Sequence, residues 1–102
     1  MMLFAFFIAK SRRQVTMGES EICERVIRIV REQLQPGDVT NARILEADLK
    51  EGLGADSLDL YELTMEIEEA FGFTIEDKEA NELKTVRQIV EYVVRKLSKK
   101  RD

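Results

Sequence analysis

Ser57 is the hydroxyl whose surroundings invite a chemical reading. It stands between Asp56 and Asp59 in the stretch Gly54-Ala55-Asp56-Ser57-Leu58-Asp59-Leu60. A serine becomes a triad nucleophile when a positioned base takes its proton. The chain has no histidine, the commonest base and the commonest metal ligand. A single cysteine can form neither an internal disulfide nor a zinc cluster. Hydrolysis and redox chemistry by the chain's own side chains are therefore poorly supported, and no catalytic or metal-ligating set is assigned. The acidic spacing lacks the glycine and ligand pattern of a calcium-binding loop. A serine at a helix start is ordinarily a cap. Here Asp56 already fills that role, because its carboxylate can accept a free N–H of the first turn. Ser57 then falls at the first helical position, with its hydroxyl in water.

The elements that must hold this junction are helical. From Leu60 the apolar residues Leu60, Leu63, Ile67 and Phe71 recur at helical spacing, so 57–71 reads as a helix with Gly72 as its left-handed stop. Upstream, Cys23, Val26, Ile27, Val30 and Leu34 form a stripe that Ile22 and Ile29 widen, giving a helix over 20–35. Ser20, or a Thr16-x-x-Glu19 box, is its candidate start, and Pro36-Gly37 ends it. Cys23 belongs to that stripe as a small apolar side chain. Residues 36–56 form a long connection anchored by Ile44, Leu45, Leu49 and Leu53, with a helical turn expected over 44–50. A short helix is expected over 77–82, with Leu83 pointing inward. A last helix spans 85–98, opened by Thr85-x-x-Gln88 and carrying Val86, Ile89, Val90, Val93 and Leu97. Three long helices with narrow stripes must pack on one another, so the expected fold is all-α, a small four-helix bundle with three long helices and one short.

Length and charge limit the function further. The 102 residues suffice for one small domain, and 44% hydrophobic with 35% charged residues is a globular balance. Net charge is −4, unevenly placed. Residues 1–16 hold three basic residues and no acidic one, leaving 13 basic against 20 acidic residues, a net of −7, in the rest. An acidic domain disfavours nucleic acid and favours basic partners. Residues 1–9 are a dense apolar run followed by Lys10, Arg12 and Arg13. The run is shorter than the roughly 20 residues of a membrane span, and its charge follows rather than precedes it, unlike a secretory signal. Residues 1–18 are read as an extension, disordered or an early start ahead of Met17, with a transit peptide or a short surface anchor as the alternatives; 19–98 as the domain; and 99–102 as a basic tail.

The helix over 57–71 has a second face. Leu58, Tyr61 and Met65 recur on a side distinct from the core stripe, among Asp59, Glu62, Glu66, Glu68 and Glu69. Residues 56–71 contain six acidic residues and no basic one. Glu62 and Glu66, four apart, repel slightly in an isolated helix. Apolar residues set in one sign of charge have the character of a docking surface, and equally of a solvated acidic face.

The stretch Gly54-x-Asp56-Ser57-Leu58, extended by Asp59, resembles the attachment motif of acyl carrier proteins. The similarity continues through Glu62-Leu63, Met65, Ile67-Glu68-Glu69, Phe71, Ile75, Glu79-Ala80, Thr85-Val86 and Ile89. Upstream it takes in Ile22, Glu24-Arg25-Val26 and Glu32-Gln33-Leu34, so it covers about residues 20–97. The resemblance implies a cytoplasmic, monomeric carrier with no catalytic groups of its own, working in fatty-acid or related acyl-chain synthesis. Ser57, flanked by Asp56 and Leu58, would receive a 4′-phosphopantetheine arm from coenzyme A through a phosphopantetheinyl transferase. Asp59, Tyr61, Glu62, Met65, Glu66, Glu68 and Glu69 would meet basic patches of that transferase and of synthases and acyltransferases. Leu49, Leu63, Ile67, Phe71, Ile75, Ala80 and Leu83 would surround the acyl chain, though each is equally an ordinary core residue. The chain departs from the family in a slightly longer loop, in Gly52 for an acidic residue, in Glu76 for a proline and in the bulk of Tyr61. Those departures permit a specialised carrier of a polyketide, lipid A or aminoacyl pathway. An unmodified acidic helical interaction module is the alternative from another class.

Overall fold

The computed structural model describes residues 18–100, with the side chains of 99 and 100 excepted. Five helices follow in order: α1 (Glu19–Leu34), α2 (Asn41–Glu46), α3 (Ser57–Phe71), α4 (Asp77–Ala80) and α5 (Val86–Lys100). No strand interrupts them among the described residues; a single antiparallel bridge pairs Asp48 with Thr85. The all-α bundle of three long helices is present, and both short elements are helical. None of these helices is long and apolar enough to cross a membrane. α5 runs on through Lys99 and Lys100, past the expected 85–98 and into the segment read as a basic tail; the expectations for residues 1–17 and for the last two residues fall outside the described part.

α1 packs against both α3 and α5, and α2 closes against α5. Their stripes meet in one core: Ile22, Val26, Ile27 and Val30 from α1, Ile44 from α2, Leu63, Ile67 and Phe71 from α3, and Val86, Ile89, Tyr92 and Val93 from α5. Each fully buried aliphatic side chain contributes about 1.5–3 kcal/mol relative to exposure. Cys23, Ile29 and Leu34 sit half-buried at the edge of that core. Tyr92, placed in no stripe by the sequence reading, is as buried as Ile89. It continues the Ile89, Val93 pattern at the intervening turn position.

Helix ends explain the small differences from expectation. α1 begins one residue early: Gly18 is its N-cap and makes no side-chain cap bond, so Ser20 lies inside the helix and is not the cap. Its end is Gln35 in the left-handed conformation, φ 48°, just ahead of Pro36. The turn expected over 44–50 starts earlier, at Asn41, because Thr40 accepts the Arg43 N–H and caps it. α4 stops at Ala80, short of 82, and its N-cap Glu76 makes no side-chain bond. The Thr85/Gln88 box is present: Thr85 Oγ1 accepts the Gln88 N–H at 3.2 Å, and Gln88 Oε1 accepts the Thr85 N–H at 3.1 Å.

The long connection is stitched down at both ends. The Arg31 guanidinium donates to Val39 O at 2.6 Å and to Asn41 Oδ1 at 2.8 Å, fastening its start to α1. Arg87 of α5 pairs with Glu46 at the surface, and each side chain stabilises the charge of the other. Asp48 accepts the N–H groups of Lys50 and Glu51 at 3.1 and 2.9 Å and makes a tight turn. A Cβ at position 52 would lie 2.7 Å from the Asp48 carbonyl oxygen. This close approach gives a physical reason for Gly52. Leu49 N–H donates to Lys84 O at 2.8 Å, and Ala55 N–H donates to Leu49 O at 2.9 Å. The loop ahead of α3 is thus tied to the strand-like segment ahead of α5.

Candidate functional site

α3 starts where the sequence places it because its first turn is capped twice. The Asp56 carboxylate accepts the Asp59 N–H at 2.9 Å, and the Asp59 carboxylate accepts the Asp56 N–H at 3.1 Å. This reciprocal box satisfies two backbone donors that a helix start otherwise leaves open. The sequence reading assigned Asp56 as the cap but not Asp59 as its counterpart; the D-x-x-D spacing carried that signal. Both carboxylates also sit at the positive pole of the helix. Gly72 terminates α3 at φ 74°, a conformation that favours glycine.

With the capping done by the aspartates, Ser57 is left exposed at the first helical position, and no hydrogen bond engages its hydroxyl among the described residues. It lies on the rim of a cavity of about 870 Å³ that runs between α3, α4 and the loop before α3. The apolar walls are Leu49, Leu60, Leu63, Ile67, Ile75, Ala80, Leu83 and Ile89, with Tyr61 and Met65 at the α3 edge. Six of the seven residues grouped around a chain by the family resemblance therefore line one space. Phe71 is not among them: it is buried beyond the cavity, stacked on Phe73 at 6.4 Å with the Arg25 guanidinium over its ring. Thr64 and Glu68 of α3, with Asp48, Lys50, Glu51, Asp77, Asn81 and Lys84, make the lining nearly as polar as it is apolar.

The second face of α3 is exposed as its spacing predicts. Leu58, Tyr61 and Met65 are 61%, 64% and 48% exposed and are the large apolar side chains that stand out on the surface. The surrounding carboxylates are not equivalent. Glu62 accepts a hydrogen bond from Gln33 of α1 at 2.9 Å. Glu66 and Glu69 share a shallow depression with Arg25 and Arg28 of α1. Glu68 is half-buried and accepts the Ile75 N–H at 2.8 Å, which pins the chain as it leaves α3. Glu68 therefore has a structural task that helical spacing alone does not disclose.

The site's chemistry is that of an accessible alcohol on a fixed helix start, beside a cavity of mixed polar and apolar lining. Comparison with known proteins shows which family the chain resembles. A family described as "Phosphopantetheine attachment site" matches residues 24–93. An acyl carrier protein of Amoebophilus asiaticus is 43% identical over 83 residues, covering 79% of this chain and 99% of that protein. One from Rubrobacter xylanophilus is 45% identical over 80 residues, 76% of this chain and 94% of the relative. One from Thermosynechococcus vestitus is 43% identical over 83 residues, 80% and 99% of the two chains.

Proposed function

The chain belongs to the acyl carrier proteins, whose prosthetic group is a covalently attached 4′-phosphopantetheine, and on that membership we propose that Ser57 is the residue that bears it. The single observation that carries this assignment is Ser57 itself. It is an exposed hydroxyl at a doubly capped helix start, inside the Asp56-Ser57-Leu58-Asp59 match and on the rim of the cavity.

The residues present fit the group. The helix N-terminus favours the anionic phosphodiester that attachment at Ser57 would create. The Asp56 and Asp59 carboxylates are each engaged with a backbone N–H. When bound, the arm supplies a terminal thiol that holds an acyl group as a thioester. The chain's own part is to present Ser57 on a rigid turn, to offer a cavity partly walled by apolar side chains, and to be recognised. Leu49, Leu63, Ile67, Ile75, Ala80 and Leu83 are the walls proposed for the acyl chain, and burial there shields it from water. Activation of the Ser57 hydroxyl falls to a transferase, which agrees with the lack of histidine in this sequence.

Recognition is assigned to the exposed face of α3. Leu58, Tyr61 and Met65 supply apolar contact, and Asp59, Glu62, Glu66 and Glu69 supply charge that complements basic patches on the transferase and on acyl-chain synthases. The carrier is read as a cytoplasmic monomer serving fatty-acid or related acyl-chain synthesis. Intact-mass measurement after incubation with coenzyme A and a broad-specificity transferase tests the reading. One arm's mass is expected. A folded chain that gains nothing supports the unmodified interaction module instead.

A further inference from the structure

The outer wall of the cavity is a suspended segment. Residues 76–83 run between two anchors. At one end the Ile75 N–H is held by Glu68, and at the other Lys84 bonds both Gln88 Oε1 and the Leu49 N–H. Between the anchors, the backbone bonds of Ala80, Asn81, Glu82 and Leu83 all stay within the segment. α4 has no buried residue, and only Ala80 and Leu83 pack part-way against the core. Yet Asp77, Ala80, Asn81 and Leu83 line the cavity. Among the described residues one side-chain hydrogen bond joins this span to the bundle: the Tyr92 hydroxyl of α5 donates to Glu79 Oε1 at 2.5 Å.

We infer that Tyr92 is a positioning residue for the carrier function: its bond to Glu79 latches α4 onto α5 and sets how securely the cavity encloses an acyl chain. Tyr92 is suited to the task because the rest of its side chain is immobilised. Its ring meets Phe73 edge-on at 6.0 Å, and Arg95 and Lys96 lie over it at 5.6 and 5.8 Å. The phenol is protonated at neutral pH as any tyrosine is, and burial and the carboxylate push its titration further up, so it stays a donor. On the other side, the Tyr92 hydroxyl holds the Glu79 carboxyl below its usual range, aided by the charge of Lys96. A charge-assisted bond of this kind is stronger than one between neutral partners. A short helix with few buried apolar contacts opens locally at little cost, so one such bond is a large fraction of what keeps it closed. The enclosure half of the inference rests on the acyl-chain reading of the cavity; the latch half does not.

Two measurements on the full chain separate these halves. The first is amide hydrogen exchange on the unmodified protein, comparing Tyr92→Phe, Glu79→Ala and Glu79→Gln with the parent. Phenylalanine keeps the ring packing and removes only the donor; glutamine keeps an acceptor. Exchange at Ala80, Asn81, Glu82 and Leu83 should accelerate about fivefold or more in Tyr92→Phe and Glu79→Ala. It should fall between the parent and Glu79→Ala in Glu79→Gln, which keeps an acceptor but loses the charge, and Val26 and Val30 of α1 should be unaffected throughout. The second compares hydrolysis of octanoyl and acetyl thioesters on the loaded chain: the octanoyl ester should be lost several-fold faster in the two broken variants, the acetyl ester at an unchanged rate. Unchanged exchange in both broken variants overturns the latch. Faster exchange with an unchanged octanoyl rate overturns its role in enclosure. A chain that accepts no arm fails the Ser57 assignment, while the exchange result still decides the latch.

Discussion

Removing the Asp56 carboxylate probes the junction on which everything else depends. Asp56→Ala deletes the acceptor of the Asp59 N–H and one negative charge at the helix start. Loss of an N-cap costs about 1 kcal/mol, and loss of a favourably placed charge about 0.3–1 kcal/mol more. For a domain of this size the sum lowers the melting temperature by about 5–15 °C. Asp59→Ala should cost less, about 0.5–1 kcal/mol, because the Asp56 N–H it abandons stays open to water at an exposed position. Asp56→Asn keeps an oxygen acceptor and should fall between the parent and Asp56→Ala. Each carboxylate accepts the other residue's N–H, so the double variant should lose less than the two single losses added. Thermal melting followed by circular dichroism measures all four. An Asp56→Ala chain that melts within about 2 °C of the parent, or strict additivity, refutes the reciprocal cap as the device that fixes the start of α3.

Gly52→Ala forces a Cβ against the Asp48 backbone and should destabilise the fold by about 1–3 kcal/mol; an unchanged urea midpoint contradicts the packing of that turn. Glu79 titrates below its unfolded value of 4.5, with Tyr92, Arg95 and Lys96 of α5 and Glu76 around it. Its stabilisation is therefore complete above pH 4.5 and is lost as pH falls through the lowered folded value. The parent's melting temperature should accordingly fall more steeply below pH 4.5 than that of Glu79→Ala, and parallel profiles contradict the pairing. Reversing Glu62 and Glu66 to lysine should slow association with the transferase by about tenfold or more at low salt and flatten its salt dependence; unchanged rates remove this face from recognition. Glu68 is a poor choice for that test, because its reversal also releases the Ile75 N–H.

What the sequence disclosed was local. The bounds of α3 follow from the Asp56 cap, the Leu63, Ile67, Phe71 period and Gly72, all read within one stretch. The box opening α5 was legible for the same reason. The cavity's contents were grouped by the family resemblance rather than by period: of its apolar walls, Leu60, Leu63, Ile67 and Ile89 lie on helix stripes, while Leu49, Ile75, Ala80 and Leu83 come from loops and the short α4 segment. Phe71 continues the α3 stripe yet lies past the cavity's end, a fact that depends on Phe73 and Arg25 rather than on period. Other features join residues far apart in the chain. Glu68 reaches over Gly72 to Ile75, Leu49 bonds Lys84, and Tyr92 reaches back to Glu79. No single-helix pattern encodes these pairings. They decide which exposed-looking carboxylate is structural and which buried tyrosine has a polar duty.

The central claim is that one hydroxyl carries the arm, and site mapping after enzymatic loading tests it most directly. Peptide fragmentation of the modified chain should place a single added group on Ser57, and Ser57→Ala, folded as judged by its helical spectrum, should gain no mass. Modification at Ser11, Ser20 or Ser98, or an undiminished gain of mass in Ser57→Ala, would contradict the account.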